Sequence, residues 1–148
     1  MESVSSRHAW SVTPADLQKF GPRIDVSIWN PNQSQNKIDG TALIDTGATI
    51  TFIKNSVVEE LKLKQEKPAQ ICQPGDAAPQ QGGFYIVGLL IPSLDLHCKD
   101  WPVACPSNLP TSEDFCVIGR DILSACEFVY NGVTGQLLLR YIQASSGA

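Results

Sequence analysis

The chain has 148 residues and a mass of 16.1 kDa, and its 43% hydrophobic content suffices for one modest core, not two. Its net charge of -4, from 15 acidic and 11 basic residues with no Lys/Arg cluster, argues against nucleic acid as a partner. No apolar run is long enough to span a bilayer, which argues against a membrane partner.

The opening "MESVSSRHAWSVTPADLQKF" has neither a basic n-region nor a continuous apolar h-region, so a cytoplasmic location is expected. Residues 1–22 read as a polar, irregular extension, 23–142 as one domain, and 143–148 as a flexible tail. From "RIDVSIW" onward, short β-rich runs alternate with turn clusters such as "NPNQSQNKIDG", "QPGDAAPQQGG" and "CPSNLPTSED". This rhythm predicts an all-β sheet or barrel with two short helices.

In "TALIDTGATITFI", Ala42, Leu43 and Ile44 on one side and Ile50, Phe52 and Ile53 on the other predict two buried strands around a tight loop. Asp45 sits in that loop, where a carboxylate is costly unless it accepts hydrogen bonds. Gly47, lacking a side chain, lets a backbone N–H come close to it, and Thr46 adds a hydroxyl. A helix is predicted next, with Ser56 as its cap and Glu59 completing a capping box. The glycine-rich "ICQPGDAAPQQGGF" follows, then "FCVIGRDIL", an apolar strand that reaches Gly119 and turns into a second helix headed by Arg120 and Asp121. "CEFVYNGVTGQLLLRY" predicts a closing hairpin, with "NG" and a later glycine between two apolar strands.

Five cysteines (Cys72, Cys98, Cys105, Cys116 and Cys126) are an odd number without a secretory signal, which favours free thiols used as small hydrophobes. No C-x-x-C or H-x-x-x-H spacing occurs, so neither a metal nor another cofactor is expected. His8 and His97 belong to no constellation that would activate a cysteine nucleophile.

The order "ALIDTGATITFI", short helix, glycine-rich hairpin and "VIGRDIL", spanning roughly Arg23 to Tyr141, resembles the retroviral-type aspartic proteases, the retropepsin-like family. The resemblance implies a β-rich half-barrel that carries one catalytic aspartate and acts as a two-fold homodimer. Only one Asp-Thr-Gly or Asp-Ser-Gly occurs, which agrees with a second chain supplying the second carboxylate. It implies Asp45 as the catalytic residue of an endopeptidase, Thr46, Gly47 and Ala48 as positioning residues of its loop, and a peptide or unfolded protein as substrate. It also implies a flap over the substrate, with Gly75, Gly82 and Gly83 permitting bending and Phe84 as its large apolar residue. Gly119, Arg120 and Asp121 become structural or interface residues.

Many retroviral members carry an acidic residue two places after the loop glycine, where this chain has Thr49. Arg120 therefore lacks its usual partner, and Asp121, Glu127 or a backbone carbonyl are the candidate substitutes. "GQLLLRYI" either supplies an interface strand or completes the hairpin within one subunit. The rival to the enzyme is a catalytically silent dimer of the same fold that binds peptides, which the intact Asp45, Thr46 and Gly47 disfavour.

Overall fold

A computed structural model describes residues 4–72, 78–106 and 114–143. The described residues form ten strands and three short α-helices. Strands β2 (Arg23–Asn30) and β3 (Gln33–Ile44) form a long antiparallel hairpin. Its far end, Gln33 to Lys37, is polar and mostly exposed, so part of the "NPNQSQNKIDG" run read as a turn is strand that extends beyond the core. The turn itself is tighter, and Asn30 Oδ1 accepts the Asn32 N–H at 2.9 Å within it.

After β4 (Phe52–Ile53) comes helix α2 (Asn55–Glu60), which buries Val57 and Val58. It starts one residue before the expected cap: Lys54 is the N-cap, and no side chain closes a capping box. Ser56 lies within the first turn, while Asn55 Nδ2 reaches Glu59 Oε1 at 3.1 Å on an exposed face. The Lys54 carbonyl takes the N–H groups of Val57 and Val58, anchoring the turn without a polar side chain.

Strands β5 (Lys67–Ile71), β6 (Gln80–Ile91) and β7 (Leu96–Pro106) add an antiparallel set. The second half of β6 also pairs with β2, through Ser27 to Leu90, Ile28 to Leu89 and Trp29 to Gly88. With β8 (Cys116–Ile118), that pairing closes the seven-stranded sheet, ordered β2-β3-β8-β4-β7-β6-β5, into a barrel. The ladder shifts register between Val87 and Leu89, and Gly88 lies there with the Trp29 indole against its Cα, leaving no room for a side chain. Inside lie Val26, Ile28, Ile53, Val87, Leu89, Ile91, Val103 and Ile118, all nearly free of solvent contact.

The amino-terminal segment departs from the irregular extension expected of it. Residues Val4–Ser11 form β1, and Pro14–Phe20 form helix α1, capped by Thr13, whose hydroxyl accepts the Asp16 N–H at 3.1 Å. Strand β1 pairs along its length with β10 (Gln136–Gln143), which also pairs with β9 (Cys126–Asn131). The polar letters of "VSSRHAWS" conceal a strand because the half-buried Ser6, His8 and Trp10 alternate with the exposed Arg7 and Ala9. The predicted closing hairpin is present as β9 and β10, and Gly135 at its turn has φ of 78°, a left-handed conformation that favours glycine. Because β10 has partners on both edges, "GQLLLRYI" completes a sheet within the subunit and offers no free edge.

Candidate active site

Asp45 directly follows β3, whose last residues pair in parallel with β8 (Cys116–Ile118): Ala42 to Cys116, Leu43 to Val117 and Ile44 to Ile118. On its other side β8 pairs with β4 in the antiparallel sense, Phe52 to Val117 and Ile53 to Cys116. The strands on either side of the loop are therefore not neighbours; β8 lies between them, and residues 45–51 must cross over its end. The Asp45 N–H donates to the Ile118 carbonyl at 2.9 Å, which fixes the start of the crossing.

Within the loop the Gly47 N–H donates to Asp45 Oδ1 at 2.8 Å, and the Ala48 N–H donates to the Asp45 carbonyl at 3.2 Å. Thr46 and Gly47 are exposed, Asp45 is half-buried, and Ala48 is turned inward. One carboxylate oxygen is thus held by the backbone at a half-exposed position.

Helix α3 (Arg120–Leu123), with Gly119 as its N-cap, braces the loop from below. The Arg120 N–H donates to the Ala48 carbonyl at 2.8 Å. Its guanidinium donates through Nη1 to the Thr46 carbonyl at 2.8 Å and through Nη2 to Thr49 Oγ1 at 3.2 Å. Of the candidate substitutes, a backbone carbonyl is therefore the one that engages Arg120, and Thr49 adds a neutral acceptor. Asp121 and Glu127 are engaged elsewhere: Glu127 meets Arg140 at 3.2 Å on the surface. Gly119 lies against the loop backbone, and a Cβ there would come within 2.6 Å of both the carbonyl carbon and oxygen of Ile50.

Asp121 accepts the Thr51 hydroxyl on Oδ1 at 2.8 Å and the Trp101 indole N–H on Oδ2 at 3.0 Å. Thr51 is fully buried, and its hydroxyl also accepts the Gly119 N–H at 3.2 Å. Neither Thr51 nor the role of Trp101 was visible in the sequence, where Trp101 reads as one more core or rim aromatic. The available signal was a lone threonine between Ile50 and Phe52, in a run otherwise suited to a buried strand.

Of the residues assigned to a flap, Gly75 lies outside the described residues. Gly82, Gly83 and Phe84 belong to β6, in ladders with β5 on one side and β7 on the other. Gly82 sits against the Cys105 carbonyl and Gly83 against the Gln65 side chain, so both glycines lie where a sheet neighbour approaches closely. Phe84 is half-buried with Lys67 Nζ 5.1 Å above its ring. It packs with Ile50 and Phe52 on a small cluster of Ala69, Ile71 and Ala104, which brings the predicted flap arm and the end of the Asp45 loop together.

A second carboxylate cluster supports the floor. Asp114, nearly buried, accepts from Arg23 Nε at 2.6 Å and from the Thr41 hydroxyl at 2.9 Å, tying the chain before β8 to the start of β2. The thiols of Cys98, Cys105 and Cys116 are buried as expected, and Cys72 is exposed. Burial, with the nearby Asp121 adding to it, pushes the Cys98 thiol up to about 11 and moves Cys116 in the same direction.

No family model and no curated protein matches this chain. Among solved structures it is similar to the EIAV protease complexed with the inhibitor HBY-793, with 20% identity over 70% of this chain and 85% of that one, at a TM-score of 0.47.

Proposed function

We propose that the chain is one half of an aspartic endopeptidase of the retropepsin-like type, in which Asp45 from each of two chains forms the catalytic pair. The observation that carries this reading is the loop itself. A half-exposed carboxylate takes the Gly47 N–H on one oxygen, in a crossover braced from below by Gly119 and Arg120. Such bracing is costly to build around an ordinary turn aspartate, and it serves chemistry that depends on where the carboxylate points.

Hydrolysis of a peptide without a covalent intermediate needs a base to take a proton from water and an acid to give one to the departing nitrogen. Two carboxylates close together do not both ionise cheaply, so they share one proton and titrate as a coupled pair. The ionised Asp45 takes the water proton as the oxygen attacks the carbonyl carbon; the protonated Asp45 of the second chain hydrogen-bonds the carbonyl oxygen. When the carbon–nitrogen bond breaks, the proton goes to the nitrogen and the pair is restored. In this reading Thr46 positions the loop against its copy, and the β5–β6 hairpin covers the substrate. Since both edges of β10 are taken within the chain, the two copies meet through other surfaces.

The test is hydrolysis of an unfolded protein or peptide library across mildly acidic pH, with Asp45→Asn and pepstatin as controls. Cleavage by the wild type that both controls abolish is expected, together with a dimer in size exclusion with light scattering. Equal cleavage by wild type and Asp45→Asn would remove the enzyme, and a strict monomer under active conditions would remove the shared pair. Peptide binding without turnover would point to the silent binding module.

A further inference from the structure

Behind the Asp45 loop lies a chain of hydrogen bonds that joins β7 to the loop. Trp101 on β7 donates its indole N–H to Asp121 Oδ2 at 3.0 Å, and Asp121 Oδ1 takes the Thr51 hydroxyl at 2.8 Å and the Ile122 N–H at 3.0 Å. Thr51, with its one proton given to Asp121, has lone pairs left to accept the Gly119 N–H at 3.2 Å. Gly119 touches the Ile50 carbonyl, and the next residue, Arg120, holds the Ala48 and Thr46 carbonyls. The direction of each bond follows from the one before it. A carboxylate can only accept, so the Thr51 proton points to Asp121, and its oxygen lone pairs are left to accept the Gly119 N–H.

The chain begins on β7, the strand that pairs with the part of β6 carrying Phe84. Trp101 pairs with Val87 of β6, and three residues on, Ala104 pairs with Phe84 while its N–H donates to the Thr51 carbonyl at 3.0 Å. Thr51 is therefore held twice from β7, once by backbone and once through the Trp101–Asp121 pair. We infer that Trp101 is a positioning residue: through Asp121 and Thr51 it sets the height of the Asp45 loop over β8 relative to the β6–β7 pair. This inference rests on the endopeptidase reading for its catalytic consequence and on hydrogen bonds alone for its structural one.

The experiment therefore has two arms, run on the full chain. Trp101→Phe keeps most of the ring and removes the donor, Thr51→Val removes the hydroxyl at nearly equal volume, and Thr51→Ser restores it. In the first arm, native-state amide exchange is followed at Asp45, Gly119 and Arg120, with Val12 and Ile142, bonded to Gly135 and Ala125 far along the chain, as references. Loss of one hydrogen bond of ordinary strength accelerates the three loop-bracing amides about five- to tenfold and leaves the references unchanged. Thr51→Ser stays close to wild type, and Trp101→Phe combined with Thr51→Val is no faster than Thr51→Val, because Trp101 acts through Thr51.

In the second arm, kcat for peptide cleavage falls about tenfold in Trp101→Phe while KM stays within about twofold, as expected when a reacting group is displaced and the substrate contacts are not. Uniform acceleration of all amides, additive effects in the double variant, or an unchanged kcat in an active enzyme would each overturn the inference. A wild type that cleaves nothing ends the endopeptidase reading, and the exchange arm then decides the network by itself.

Discussion

Replacing Gly119 by alanine tests the closest contact beneath the loop. Gly119 has φ of -96° and ψ of -174°, extended backbone that alanine adopts freely, so no conformational strain enters. The cost is steric. The new Cβ would stand 2.6 Å from the Ile50 carbonyl carbon and oxygen and 3.0 Å from the Ala48 carbonyl oxygen, where ordinary contact begins at 3.4 Å. All three atoms are backbone, held by Arg120 N–H to Ala48 and by the β4–β8 pairing, so no side chain can turn aside.

Opening the gap by about 0.8 Å moves either the loop or the start of α3, at the roughly 1–3 kcal/mol typical of overpacking. In a domain of this size that lowers the melting midpoint by about 3–10 °C. The same displacement shifts Asp45, and under the proposed endopeptidase function an error near 1 Å in a reacting group costs on the order of a hundredfold in rate. The assay is paired: a urea or thermal melt with a peptide-cleavage rate. Gly119→Ala that melts and cleaves like the wild type would refute the claim that Gly119 sets the height of the loop.

Asp114→Ala strips the buried end of β8 of its partner for Arg23 and Thr41, and a loss of about 3 kcal/mol is expected in urea denaturation; a loss below about 1 kcal/mol would mean the pair is solvated. The Cys98 thiol is raised from an ordinary 9.0 to about 11 in the folded chain, so the folded state holds its proton where the unfolded chain gives it up. Stability is therefore complete below about pH 9 and lost as pH rises through 11, by up to roughly 3 kcal/mol from this thiol. Cys98→Ala should flatten that alkaline slope, and an equal slope in both proteins would refute the assignment. Iodoacetamide should label exposed Cys72 first, half-buried Cys126 more slowly, and Cys98, Cys105 and Cys116 only on unfolding, as read by mass spectrometry of digested peptides.

The candidate site was legible in the sequence because its signals are local. Asp45, Thr46 and Gly47 stand between apolar runs, Gly119 and Arg120 end another, and the Gly47 N–H on Asp45 follows from a spacing of two residues. The β-rich class and the closing hairpin were legible for the same reason: turn chemistry and a period of two need only near neighbours. Strand β1 was not, since only pairing with β10, more than a hundred residues away in the chain, makes an exposed Arg7 and a half-buried Trp10 the two faces of one strand. The capping box on α2 failed because the helix begins where Lys54 is tied to the Phe115 carbonyl across the fold, which overrides the preference of Ser56 for a cap.

By itself the sequence determined which carboxylate is singled out and the kind of loop that holds it, because backbone reach within a few residues settles both. Tertiary structure alone decided what stands beneath that loop. Burying β3 and β4 on opposite edges of β8 forces residues 45–51 across its end, and this crossing brings Thr51, Trp101, Asp121 and the Arg120 guanidinium together from three separate stretches of chain. No spacing encodes that meeting, since it depends on closure of the whole barrel and on the Thr51 and Trp101 donors finding Asp121.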